Sequence, residues 1–344
     1  MIQWVTGNLL EDSAEAYVNT VNTIGVMGKG IALQFKQAFP DVFKQYEKDC
    51  KKGLVRVGEM HVVEVVGLAA PKYVINFPTK EHWRNPSKLS FVEEGLKDLV
   101  RVVQQLNIKS IALPPLGCGN GGLDWHVVRP IILDAFQSLD VEVHLYEPTG
   151  APPLDQMVIR TKKPKMTLGR ALLLAAMTRY AGPGYRMSLL EVQKIAYFLH
   201  EVGALPKLQF EKNRFGPYAE GLNHVLQAME GHYIRGYGDR TQGAEIYLLN
   251  GAAEEAEQFI ANNDKAVNDL QQVADLMYGF ETPYDLELLS TVGWILKENP
   301  TRAHDKYYVI QSVRNWNERK KRIFPIDHIE KVWDYLKNEV QFVS

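Results

Sequence analysis

Two dense glycine clusters, each set between an apolar strand-like run and a helix-like pattern, constrain this chain more than any other feature. The first is Val18-Asn19-Thr20-Val21-Asn22-Thr23-Ile24-Gly25-Val26-Met27-Gly28-Lys29-Gly30-Ile31-Ala32. The second is Pro114-Pro115-Leu116-Gly117-Cys118-Gly119-Asn120-Gly121-Gly122-Leu123-Asp124-Trp125. Glycine lets a ligand approach the backbone closely, and the N–H groups that open a helix attract anions. A tight corner alone explains one such cluster. Two of them, the first beside the carboxamides Asn19 and Asn22, predict strand ends that hold a diphosphate from both sides. Asn22 is the better placed of the pair for a ribose hydroxyl, because the alternation that buries Val18 and Val21 leaves it at the loop mouth.

Simpler nucleotide motifs fit less well. A P-loop needs Gly-Lys followed by Ser or Thr, for magnesium and the outer phosphates. Here Lys29 is followed by Gly30, Ile31 and Ala32. Gly117, Gly119 and Gly122 do spell GxGxxG, and Glu147 ends the next strand where a ribose-binding acid would stand. A dinucleotide fold would continue into a second half-sheet, whereas here the strand pattern stops.

Residues 2–6, 17–21, 60–66, 73–76, 110–113 and 141–146 read as β-branched strands. Between them 30–38, 41–52, 91–106 and 125–138 read as helices. This alternation predicts an α/β domain over 1–148, with helices on both faces of a sheet. Pro148, Gly150, Pro152, Pro153 and Pro164 mark 149–166 as a linker. From 167 to 344, helical spacing recurs at 168–181, 189–202, 218–229, 263–277, 283–298 and 328–338, with one strand candidate at 244–249. The second half is read as a separate, mostly α domain.

With 344 residues, 46% apolar and 23% charged, the composition suits two soluble domains. No apolar run approaches a membrane span, and the first residues lack a signal-peptide pattern. Cys50 and Cys118 are too few for a disulfide framework or a cysteine zinc site, and the nine histidines show no metal-ligand spacing. The expectation is a cytoplasmic protein without metal, cofactor or membrane partner. A net charge of −2 gives the whole chain no bias toward nucleic acid. Its distribution is uneven. Between residues 251 and 300 a run of carboxylates from Glu254 to Glu298 is opposed only by Lys265 and Lys297. A basic stretch from Arg302 to Arg322 follows, opposed by Asp305 and Glu318. Two solvated helix faces paired with each other account for this, and so does a surface that imitates nucleic acid toward a basic partner.

On Thr6-Gly7-Asn8-Leu9-Leu10, the first glycine cluster and residues 113–125, in that order, residues 1–147 resemble the macrodomain family. The resemblance implies a three-layer αβα fold with a mixed sheet that binds ADP-ribose. Val18–Asn22, the string GVMGKGIALQFK starting at Gly25, and Asn76-Phe77-Pro78-Thr79-Lys80 are similar to an antitoxin branch of that family. Members of that branch remove ADP-ribose that a partner toxin has placed on DNA bases.

The resemblance also implies residue roles. Asn8 and Leu9 would hold adenine. An aspartate is usual at the first of these positions, and the Asn8 oxygen can still accept from the adenine amino group without charge assistance. Asn22 would touch the distal ribose. Gly25, Val26, Met27, Gly28, Lys29, Gly30 and Ile31 would line one side of the diphosphate, with Leu116, Gly117, Cys118, Gly119, Asn120 and Gly121 on the other. Thr79 would join the ligand site, and Lys80 would be catalytic. Glycohydrolases sharing this lysine also use an aspartate shortly after Gly-Cys-Gly. Alignment on Trp125 puts that position at Gly121, while Asp124 reads as a helix N-cap.

Cleaving ADP-ribose from a base breaks a glycosidic bond through an oxocarbenium-like transition state. A lysine amine can attack the anomeric carbon or trap the opened sugar as an imine, provided part of it is unprotonated. His82-Trp83-Arg84 mixes aromatic and basic groups able to stack a base and contact phosphates, and reads equally as a surface loop. The expected substrate is ADP-ribosylated single-stranded DNA, with thymidine favoured over guanosine. The expected partner is a toxin held by the C-terminal domain. There, Gln193-Lys194-Ile195-Ala196-Tyr197-Phe198-Leu199-His200 and Arg214-Phe215-Gly216-Pro217-Tyr218 resemble antitoxin domains of the Panacea type. The second string also reads as a turn in which Pro217 opens the next helix. Two other functions suit the first domain: a non-catalytic ADP-ribose reader and a hydrolase of ADP-ribose 1″-phosphate.

Overall fold

Strands β1 (Ile2–Val5), β2 (Ala16–Asn22), β3 (His61–Glu64), β4 (Tyr73–Lys80), β5 (Ser110–Leu113) and β6 (Glu142–Tyr146) form one sheet, ordered β1-β6-β5-β2-β4-β3. All neighbours run parallel except β3, which is antiparallel to β4. The computed structural model describes residues 1–67, 70–148, 157–182, 184–238 and 244–337. The chain divides into two compact units, Met1–Lys162 and Lys163–Ser344.

In the first unit, side-chain alternation sends successive strand residues to opposite faces of the sheet. Val18, Ile75, Phe77, Ile111, Leu113, Val143 and Leu145 pack on one face with helices α3 (Leu89–Gln105) and α4 (Trp125–Phe136). Tyr17, Val74, Ala112 and Tyr146 face the other way, onto α1 (Gly30–Ala38). Val21 packs there with Met27, and with Tyr46 and Cys50 of α2 (Pro40–Lys51). The result is a three-layer αβα unit with a mixed sheet.

Strand β4 runs four residues beyond the expected end at 76. The proline that discourages a strand reading is tolerated because β3 pairs only with Tyr73–Asn76 and has ended before Pro78. On that side β4 is already an edge, where a missing N–H costs nothing. Toward β2 the ladder continues, with Val21 opposite Pro78 and Asn22 opposite Lys80. The register shift leaves Thr79 as an extra residue, a β-bulge.

The segment expected to be a linker packs on the units where it is described. Val158 joins the core beside α1, and the Arg160 N–H donates to the Gln37 carbonyl at 2.9 Å. Lys163 pairs with Glu255 at 2.6 Å, and the Tyr233 hydroxyl donates to the Pro164 carbonyl at 2.9 Å. Residues 149–156 lie outside the described residues.

The second unit is mainly helical. Its elements are α5 (Leu168–Tyr180), α6 (Leu189–Glu201), α7 (Glu220–Met229), α8 (Ala252–Ile260), α9 (Asp264–Met277), α10 (Pro283–Glu298), α11 (Lys306–Arg314), α12 (Glu318–Ile323) and α13 (Ile326–Leu336). Helix α6 starts with a full capping box between Ser188 and Glu191, and it is buried along most of its length. The α13 pattern expected to reach 338 ends at Leu336, and residue 338 itself lies outside the described residues. Two differences from the sequence reading stand out. Pro217 does not open a helix: β7 (Glu211–Asn213) and β8 (Gly216–Tyr218) form a hairpin around Arg214-Phe215, and α7 begins at Glu220. The strand expected at 244–249 shrinks to β10 (Tyr247–Leu248), paired with β9 (Ile234–Arg235). None of the described helices is long and apolar enough to cross a membrane.

Candidate active site

The C-terminal ends of β2, β4 and β5 deliver both glycine loops and Lys80 to one edge of the sheet, where parallel α/β folds generally bind ligands. The bulge at Thr79 sets Lys80 level with Asn22 across the β2–β4 ladder. The Lys80 Nζ donates to the Asn120 carbonyl at 2.6 Å, joining the end of β4 to the second glycine loop. Partial burial holds its pKa below the ordinary lysine value. A Cβ at Gly30 would lie 2.8 Å from Asn120 Nδ2, so the first loop meets the second at the same point.

The first loop is organised by Asn22. Its Oδ1 accepts from the N–H groups of Ile24 and Val26 at 3.1 and 3.3 Å, and its Nδ2 donates to the Val26 carbonyl at 2.6 Å. The Tyr46 hydroxyl, fully buried, donates to the Asn22 carbonyl at 2.5 Å. Asn22 therefore shapes the loop mouth and keeps one N–H for a ligand. Below it runs a buried polar chain. Asn19 Nδ2 donates to Asn76 Oδ1 at 2.9 Å, Asn76 Nδ2 meets His61 Nδ1 at 3.1 Å, and His61 Nε2 meets Asp49 Oδ2 at 3.1 Å. This chain ties β2, β4 and β3 to α2 beneath the loop.

The two helix N-termini at the site differ. Helix α4 is capped by Asp124, whose Oδ1 accepts from the His126 N–H at 2.9 Å. Asp124 is thus an N-cap, as its position suggested. At α1 the cap position is Lys29, which makes no side-chain cap bond. The opening N–H groups of α1 therefore remain available to an anion, with a cationic residue beside them.

The remaining predicted residues fall into groups. Leu9, Met27 and Leu116 are core side chains, only 5%, 1% and 0% exposed, so they can offer a ligand little beyond their backbone. Thr79 is buried in the bulge, and Ile31 packs against the core beside α1. Gly25, Val26 and Gly28 form the first loop; Gly117, Gly119 and Gly121 form the second. Cys118 is half-buried; its Sγ donates to the Leu116 carbonyl at 3.4 Å, and burial pushes its pKa up to about 11. Asn8 differs from the expectation. Its Oδ1 is taken up by the Leu10 N–H at 3.1 Å as a 3-10 cap, leaving Nδ2 buried without a partner. What Asn8 keeps for a ligand is a donor. His82 stacks on Trp83 at 5.5 Å, and the Arg84 guanidinium lies 4.6 Å from the same ring. Trp83 is 40% exposed and two residues beyond Glu81, whose carbonyl accepts from Thr23 Oγ1 at 2.8 Å.

Sequence reasoning missed Ser87. Its N–H donates to the Gly121 carbonyl at 2.9 Å, and its buried Oγ has no partner. A Cβ at Gly121 would come within 2.4 Å of that Oγ and 2.2 Å of the Gly117 carbonyl. The position that the resemblance aligns with an aspartate has no room here for a side chain unless these groups shift. No local signal marks Ser87 or Tyr46, because each acts on a loop distant in sequence. Among the described residues no group of three or more His, Cys, Asp or Glu side chains is placed to hold a metal ion.

The family model for the Macro domain matches residues 18–132, so the first unit is a macrodomain. Near-full-length similarity places the chain more narrowly. A relative from Thermus aquaticus, named DNA ADP-ribosyl glycohydrolase, is 49% identical over 337 residues, covering 98% of this chain and 93% of its own length. The chain belongs to the DNA ADP-ribosyl glycohydrolase family, whose members include DarG. The solved macrodomain of Mycobacterium tuberculosis DarG is 56% identical, covering 43% of this chain and 99% of that one, with a TM-score of 0.43. A fusion protein from Thermosipho africanus, named DNA ADP-ribosyl transferase-DNA ADP-ribosyl glycohydrolase, is 33% identical over 159 residues, 42% of this chain and 41% of its own.

Proposed function

We propose that this chain hydrolyses ADP-ribose from ADP-ribosylated bases of single-stranded DNA, thymidine first among them, and that its second unit neutralises a DarT-like toxin. The observation that carries the reading is the Lys80 amine, partly desolvated and fixed on Asn120 between the two glycine loops. The diphosphate would sit on the uncapped N-terminus of α1, with the second loop as the opposite wall. Asn22 would steer the distal ribose, and Asn8 would donate from Nδ2 to an adenine ring nitrogen.

In this reading the bond between the anomeric carbon and the base nitrogen breaks. Its electron pair leaves on the base, which takes up a proton, and water supplies the oxygen that ends on the sugar. A neutral Lys80 amine would form a transient bond to the anomeric carbon that water then cleaves. No metal or cofactor enters the scheme.

The toxin part draws on the Thermosipho fusion, whose name joins a DNA ADP-ribosyl transferase to a glycohydrolase. It also draws on Glu254, Glu257, Asp264 and Asp275, which are exposed on α8 and α9 and suit a groove built for DNA phosphates. The acidic run is not wholly surface, since Asp269 and Glu287 are buried.

The test is incubation of the full chain, wild type and Lys80→Ala, with an oligonucleotide carrying one ADP-ribosylated thymidine, followed by mass spectrometry. Release of ADP-ribose by wild type alone supports the reading. Tight ADP-ribose binding without release from thymidine or guanosine would make the first unit a reader instead.

A further inference from the structure

The hairpin of the second unit carries a feature that the proposed function does not use. Its two-residue tip, Arg214-Phe215, is docked rigidly. Trp316 Nε1 donates to the Asn213 carbonyl at 2.8 Å, and Asn317 Nδ2 donates to the Arg214 carbonyl at 3.0 Å. Behind the tip, a Cβ at Gly216 would lie 3.0 Å from Thr291 Oγ1 and 3.1 Å from Lys194 Nζ, so this backbone sits directly on the core.

On that rigid tip Phe215 is 40% exposed. The guanidinium groups of Arg319 and Arg214 lie 4.7 and 5.2 Å from its ring. Lys212 covers the neighbouring Trp316 ring at 4.4 Å. Arg322 lies one turn along α12 from Arg319, and Lys212, Arg214 and Arg322 make no ion pair among the described residues.

The layer beneath adds to the positive field. Arg319 grips Glu287 with both guanidinium ends, at 2.6 and 3.0 Å, and Lys320 Nζ donates to the same carboxylate at 2.7 Å. Lys194, buried alongside, donates to the Pro217 carbonyl at 2.7 Å, and burial holds its pKa well below the ordinary lysine value, so it adds little charge. One buried carboxylate thus faces the two cations Arg319 and Lys320. The carboxylates on the two surface segments are Glu211 and Glu318. An under-neutralised cation cluster in a poorly screened interior projects its field to the surface above it.

We propose that this tip is a binding site for single-stranded nucleic acid, in which an unpaired base stacks on Phe215 while Lys212, Arg214 and Arg322 contact the flanking phosphates. An aromatic platform framed by cations is the recurring solution for unpaired strands. The site is separate from the Lys80 chemistry and needs no ADP-ribose.

The experiment is fluorescence anisotropy of a labelled, unmodified oligo-dT with the full chain, at several salt concentrations. Wild type should bind, more weakly as salt rises. Phe215→Ala should weaken binding by roughly tenfold or more. Arg214→Ala should weaken it and reduce the slope of log affinity against log salt by about 0.7. Arg319 is left intact because it partners Glu287, and circular dichroism checks that each variant is folded. Absence of oligo-dT binding by wild type, or binding indifferent to both variants, overturns the proposal. So does a loss of toxin capture in the two variants while oligo-dT affinity is unchanged, which would assign the tip to a protein. Because the probe carries no ADP-ribose, each of these results is independent of whether the glycohydrolase reading holds.

Discussion

Lys80 and Asn120 close the site: the amine donates to the main-chain carbonyl at 2.6 Å, bridging the end of β4 and the second glycine loop. A neutral amine that donates an N–H keeps its lone pair directed elsewhere, so this contact orients the nitrogen without consuming the pair that the proposed attack would use. Desolvation acts in the same sense by lowering the cost of losing the proton.

Lys80→Ala is therefore expected to abolish release of ADP-ribose, and Lys80→Arg should fail as well, since a guanidinium stays charged. In wild type, deprotonation activates the amine, so the rate should rise with pH. The inflection should fall below the ordinary lysine value, because burial lowers the Lys80 pKa. A pH–rate profile of single-turnover release checks this; a flat profile with full Lys80 dependence would make the residue a charge stabiliser.

Gly121 and Gly119 should respond oppositely to the same change. A methyl at Gly121 would press on the Gly117 carbonyl and Ser87 Oγ, whereas one at Gly119 meets nothing within 4 Å. Gly121→Ala should cost about 1–3 kcal/mol, or several degrees of Tm, and Gly119→Ala close to nothing. Thermal melts of the two variants side by side decide it.

Asn8→Asp should weaken ADP-ribose binding by roughly three- to tenfold. The substitution preserves the cap to the Leu10 N–H and exchanges the Nδ2 donor for a charged acceptor facing an adenine ring nitrogen, which has no proton to give. Calorimetry with ADP-ribose, using ribose 5-phosphate as the control without adenine, reads the effect. Equal affinities for ADP-ribose in both proteins would remove Asn8 from the adenine site.

Glu230 makes the second unit sensitive to pH. Burial raises its pKa from 4.5 to about 7, against N–H donors from Tyr237 and Gly236 at 3.0 and 3.3 Å. Between those values the folded chain holds a proton that the unfolded chain has lost. Its stabilising contribution is full below about 4.5 and is lost as pH rises through 7. Denaturation at stepped pH should show this decline in wild type and a flatter curve in Glu230→Gln.

Much of the first unit was legible because its strands and helices announce themselves locally. The β-branched runs ended within a few residues of the observed strands, and both glycine loops lie where the sequence put them. The extension of β4 through Pro78 was not foreseen, because the tolerance of proline there depends on where β3 stops, which no local pattern records. Helix α8 was overlooked because its buried stripe is Ala252, Ala256 and Ile260, spaced correctly but mostly alanine, within an acidic surface. The two glycine loops and Lys80 could be named from the sequence, but not how they meet. Asn22 serves its own loop through bonds to Ile24 and Val26, and Tyr46 reaches it from a different layer. Register, bulge and buried carboxamide chain are products of non-local pairing.

The crowding at Gly121 also sets the order in which this site could change over evolution. A carboxylate cannot appear there in one step, because the Ser87 hydroxyl and the Gly117 carbonyl already fill its space. The segment carrying Ser87 would have to withdraw first, and that withdrawal breaks the N–H bond to the Gly121 carbonyl that steadies the loop beside Lys80. Any route to a larger side chain at this position therefore loosens the loop beside Lys80 before the new group can be seated.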